Sequence, residues 1–150
     1  MKKWLFSNST VDPMASAGLL ALRLGIGIMM VSLHGWQKYQ NFAQLKESFP
    51  VPKFSLLSSW MNSTTSLACT IFAEVVCAAL LVLGMATRPA AAVLAFTMTI
   101  AAFVILADKN AAGKELALLY LTGAVALLFT GAGAYSFDAR FSIVKKRMFR

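Results

Sequence analysis

A chain of 150 residues with a net charge of +8 is 59% hydrophobic and only 13% charged, against a soluble norm of roughly half apolar and about a quarter charged. A mean hydropathy of +0.69 excludes an ordinary soluble enzyme, and the length leaves room for a single domain, residues 1–150, of which four membrane spans of about 20 residues would take more than half. The basic residues flank apolar runs and form no patch interleaved with aromatics, so they point to membrane topology and away from nucleic acid.

In chain order, residues 1–14 open on Lys2 and Lys3 and then turn polar, unlike the apolar run of a cleaved signal peptide. They read as a retained cytoplasmic tail. The first predicted span is 15–33, with Arg23 as its one charge. A long connection follows, residues 35–66, whose Phe42, Leu45, Phe49, Phe54, Leu56, Leu57 and Trp60 are too apolar for a loop in water. Such a segment is expected to lie in the interface or fold back over the bundle as a lid. The second span, 67–85, carries only Glu74, and the third, 89–107, carries no charge and has Pro89 in its first turn. Between them the short turn 86–88 makes the two antiparallel neighbours. The fourth span, 116–132, is entered through Glu115 and ends in glycines. The fold class is therefore all-α, an integral membrane four-helix bundle with a long outer loop between helices 1 and 2. Lysines and arginines favour the side of Arg88 and the C-terminal tail, which puts both termini in the cytoplasm.

Charges inside the hydrocarbon cost at least about 2.5 to 3.5 kcal/mol each and persist where they face the bundle interior and find a partner. Arg23 and Glu74 meet that description. Counted from the inner ends of their spans they lie at depths of about 12 and 16 Å, nearly one level, so an Arg23 to Glu74 ion pair is predicted. It either fixes helix register alone or lines a pocket or proton path. On the first helix Arg23, Gly27, His34 and Lys38 fall within about 60° of arc, and they approach an outer-side polar site with Lys114, Glu115 and Asp108. His34 is either a snorkelling anchor or a base. Tyr120 either donates into this site or belongs to the aromatic belt with Trp36, Tyr39 and Trp60. Met29 and Met30 read as core filler, and Cys69 and Cys77, eight apart in one apolar run, fit neither a redox dithiol nor a metal site. No cofactor-binding motif or metal-ligand pattern is present, so no metal is assigned.

The stretch Leu22-Arg23-Leu24-Gly25-Ile26-Gly27, then His34-Gly35-Trp36-Gln37-Lys38, resembles the opening helix of the DoxX family. Glu74, the run Leu83-Gly84-Met85-Ala86-Thr87-Arg88 and the closing stretches Lys114 to Leu121 and Gly131 to Asp138 continue the likeness over about residues 18 to 138. The matching polar positions are Arg23, Lys38, Glu74, Arg88, Glu115, Tyr135 and Asp138. The resemblance implies an inner-membrane subunit of a redox system that works with a partner oxidoreductase. Such a subunit would have no intrinsic cofactor and would bind a quinone or similar apolar ligand. Glu74, His34 and Glu115 are then the candidate catalytic groups, and Arg23, Lys38 and Tyr120 the candidate ligand-binding groups. The same ionisable groups would also suit a non-catalytic scaffold or assembly protein, or a small proton-coupled transporter working as a homo-oligomer.

Overall fold

The structure, a computed structural model, describes residues 12–52 and 61–141. Four helices are long and apolar enough to cross a membrane: α1 (Pro13–Gln40), α2 (Ser63–Leu83), α3 (Thr87–Ile105) and α4 (Ala111–Thr130). Among the described residues there is no strand. Each helix packs on the next and α4 returns to α1, giving an up-down-up-down bundle whose closest pair is α3 and α4. The core runs down its axis through Ile26, Met30, Leu81, Leu94, Ala124 and Leu127.

Four Asx side chains start the four helices by accepting orphan backbone N–H groups, which lipid cannot satisfy. Asp12 accepts from Met14 N at 2.9 Å, Asn62 from Thr65 N at 2.8 Å and Asn110 from Gly113 N at 3.0 Å. The fourth cap is remote. Asp138, beyond the end of α4, accepts from Ala86 N at 2.8 Å and Thr87 N at 3.0 Å, so the chain's last described turn caps α3. Within the spans, hydroxyls such as those of Thr70, Thr97 and Thr122 bond back to the carbonyl four residues earlier. They therefore bring no unpaired polar group into the hydrocarbon.

The spans differ from the sequence expectation most in α1, which continues seven residues past position 33 and carries His34, Trp36 and Lys38 within it. The helix is also shifted along the bundle axis. A Cβ on Gly84, just past α2, would meet the Arg23 guanidinium, and a Cβ on Gly35 would sit 3.0 Å from the Glu74 backbone. The ten residues before Arg23 thus overhang the end of the bundle where α2 turns into α3. There the segment 131–138 covers them, with Ala134 N donating to Ser16 Oγ. At the other end α1 stops short of the start of α2, and residues 46–50 of the connection fold into the space. Ser63 Oγ donates to Phe49 O, Ser66 Oγ to Pro50 O and Thr64 Oγ1 to Lys46 O. The lid reading of the long loop holds for this part; Phe54, Leu56, Leu57 and Trp60, with Lys2, Lys3, Lys145, Lys146, Arg147 and Arg150 of the two tails, lie outside the described residues.

Candidate ligand site

The shift of α1 decides which charges meet. Arg23 and Glu74 lie about twelve residues apart along α1, which is about 18 Å at 1.5 Å per residue. The expected Arg23 to Glu74 ion pair is therefore not formed. The expected depths took the start of the first span and the end of the second to lie at one level, whereas α1 begins about ten residues below the end of α2.

Arg23, 1% exposed, instead donates through Nη1 to Ala132 O and through Nη2 to Tyr135 O at 2.8 Å. It closes the bundle by holding the segment after α4, and Gly84, at φ +68°, leaves room for the guanidinium. Arg88 does similar work from α3, donating to Phe129 O at 3.2 Å. Of the family-like polar positions, Arg23, Arg88, Tyr135 and Asp138 thus gather at this closed end.

Glu74 stands midway along α2 and is 4% exposed. Lys38 Nζ donates to both of its carboxylate oxygens, at 2.6 and 2.5 Å, and this is the one ion pair among the described residues. A buried carboxylate needs such a partner, because an uncompensated charge in this setting is prohibitive. Beside the pair, the His34 ring meets the Tyr120 ring edge-on, with centroids 5.6 Å apart. Both side chains lie within Coulombic reach of Glu74. The four residues Lys38, Glu74, His34 and Tyr120 therefore come from α1, α2 and α4 to one place.

Backbone geometry brings them there. Three spans each contain one widened π-helical turn, at Met30–Gly35 in α1, Phe72–Cys77 in α2 and Ala101–Ile105 in α3. His34 lies in the first and Glu74 in the second, and these two turns touch. A π turn inserts an extra residue, rotates the helical face beyond it and recurs at functional sites. Gly35 lets the two helices approach: its missing Cβ would lie 2.6 Å from Val75 Cγ2.

Next to the pair, between α2 and α3, lies a cavity of about 890 Å³. Lys38 and Glu74 are the charged groups in its wall; the rest is chiefly apolar, with Phe72, Phe96, Met98 and Ile105 among the lining side chains. Its hydroxyls are already spoken for, since Ser66, Thr70 and Thr97 bond to backbone carbonyls. The π turn of α3 supplies Ala101 and Ile105 to the same wall. Cys69 faces it as a free thiol.

Glu115 does not join this cluster. It is exposed near the start of α4 and lines a separate shallow groove with Leu118 and Leu119. The fourth helix turns Tyr120 inward, and five residues of helix place Glu115 on a different face. Trp36 and Tyr39 are exposed and stack against each other at 5.6 Å. Met30 is core, whereas Met29 is 43% exposed.

Four capped apolar helices around one buried ion pair define a small multi-pass integral membrane protein with an internal polar site. The DoxX family model matches residues 18–107, well over half of the chain, and the chain belongs to the DoxX family. That match ends before α4, so the closing stretches Lys114 to Leu121 and Gly131 to Asp138 lie outside it. Neither the curated proteins nor the solved structures yield a match.

Proposed function

We propose that this DoxX protein is the inner-membrane subunit of a redox system and that its cavity binds the ring of a quinone or a similar apolar ligand against Lys38 and Glu74. One observation carries the reading: a cavity of about 890 Å³, largely apolar, has a buried ammonium and carboxylate as its charged wall. Ligand sites commonly have this make-up, an apolar container of roughly 300–1,000 Å³ with a few convergent polar groups.

A bound quinone supplies a redox couple that takes up two electrons and two protons. The chain's own groups suit the protons. Lys38 can donate a hydrogen bond to a ring oxygen, and Glu74 can hold or release a proton at its carboxylate while Lys38 balances the charge. His34 and Tyr120 stand beside Glu74 as the next groups able to exchange protons with it. No flavin, haem or iron–sulfur motif occurs in the sequence, so the electrons are assigned to a partner oxidoreductase. The distribution of lysine and arginine supports a topology with both termini in the cytoplasm.

Lipid extracts of the purified protein, analysed by mass spectrometry, test the reading. Co-purifying quinone is expected in the wild type. Binding should fall about tenfold or more in Glu74→Gln and Lys38→Met, the cost of one charge-assisted hydrogen bond. Wild-type protein that retains no quinone and binds none on titration would contradict it.

A further inference from the structure

Away from the ion pair, the closed end of the bundle carries a surface of its own. Past Gly131 the chain crosses that end and starts a further turn of helix over residues 137–141. Ala139 N donates to Ser136 Oγ at 3.1 Å at the start of this turn, and Asp138 N donates to Gly84 O at 3.0 Å. The turn is thereby held at the level where α2 and α4 end and α3 begins. With its 21 residues, α2 crosses a hydrocarbon core of about 30 Å, so this level is about where hydrocarbon gives way to headgroups. Ala139 packs inward, whereas Phe137 and Phe141, four residues apart on one face, are 45% and 65% exposed. Arg140 is exposed beside them. Two rings turned outward at such a boundary find their apolar cover in lipid.

The sequence carries the same pattern on, past the described residues. Read with the helical period, Phe137, Phe141, Val144 and Met148 fall within about 60° of arc, with Arg140 and Arg147 along one border of the stripe and Lys145 along the other. After Asp138 there are five basic residues, Arg140, Lys145, Lys146, Arg147 and Arg150, and no acidic one. An apolar stripe bordered by long cationic side chains suits the interface plane of a bilayer, where rings enter the acyl boundary and the cations reach lipid phosphates. We infer that residues 137–150 form a lipid-binding surface that grips the anionic headgroups of the leaflet at the closed end. Charge complementarity selects anionic over zwitterionic lipid, since each Lys or Arg near an anionic leaflet strengthens the attraction by about fivefold. The outward rings select lipid over the acidic face of a soluble protein. The grip bears on the fold as well: Asp138, in the first turn of this surface, caps α3, so headgroups that hold the tail also hold the cap.

Hydrogen–deuterium exchange tests it with the full chain in nanodiscs of phosphatidylcholine, with and without phosphatidylglycerol. The amides of residues 139–150 are expected to exchange severalfold more slowly when phosphatidylglycerol is present, and the difference should shrink at high salt. Changing Lys145, Lys146, Arg147 and Arg150 together to Gln should abolish the difference, while peptides from α4 keep their wild-type exchange and report an intact bundle. Equal exchange of residues 139–150 in the two lipids, in wild-type discs whose α4 peptides are protected, would overturn the inference. Protection that appears only when a soluble protein fraction is added would also overturn it, and would assign the surface to a protein partner.

Discussion

Lys38 and Glu74 depend on each other more than either depends on the rest of the bundle. Replacing Glu74 alone with Leu strands an ammonium against apolar wall, and a loss of about 3 kcal/mol is expected. The double change Lys38→Leu with Glu74→Leu should recover much of it. Thermal unfolding in detergent or nanodiscs measures both; equal losses would deny the coupling. Arg23 provides the contrast. Arg23→Met leaves Ala132 O and Tyr135 O without their charged donor and should cost about 3 kcal/mol, yet leave quinone binding unchanged by titration. The sequence shows that Arg23 and Glu74 are the charges that need partners, because a charge inside an apolar span is visible without any structure. It does not show which partners they take. Lys38 sits beyond the apolar run and looks like a surface lysine, and the acceptors of Arg23 are backbone carbonyls more than a hundred residues away. Backbone acceptors leave no trace in side-chain identity.

Helices and their number are legible from hydropathy and length, since the chain has four apolar runs and four spans. Their stagger is not. Nothing in the run 15–33 says that α1 begins about ten residues below the end of α2, and the error in level follows from that one unknown. The π turns are equally hidden, because no residue type requires them. Gly35 is the trace they leave, and it yields a prediction when compared with Gly25. Gly35→Ala presses a methyl against Val75 and the Glu74 backbone and should cost about 1–3 kcal/mol while weakening quinone binding. Gly25→Ala meets nothing within 4 Å and should be neutral or slightly stabilising, as alanine favours helix. Unfolding midpoints of the two variants decide this; similar destabilisation in both would contradict the close approach at Gly35. At the start of α3, Asp138→Ala removes the acceptor for two backbone N–H groups and should lower stability by about 1 kcal/mol, read from the same unfolding curves. Loss in Asp138→Ala with none in Asp12→Ala would show that the remote cap matters more than the local one.

For the molecule as a whole, the two ends of the bundle carry different tasks. At one, Arg23 and Asp138 tie the segment 131–138 to the ends of α1 and α3, and Arg88 ties α3 to the last turn of α4, which closes that end. At the other, α1 stops short, the connection folds in through Lys46, Phe49 and Pro50, and the cavity between α2 and α3 is the space left. Rigidity at the closed end and room at the other follow from the same displacement of α1. The ion pair lies where the two regimes meet. The most direct measurement is a high-resolution density map of the full chain in nanodiscs with saturating prenylquinone. Ring density in the cavity against Lys38 Nζ and Glu74 is the predicted result. Quinone density only at another surface of the bundle, with the Lys38 and Glu74 pair touching no ligand, would contradict the account.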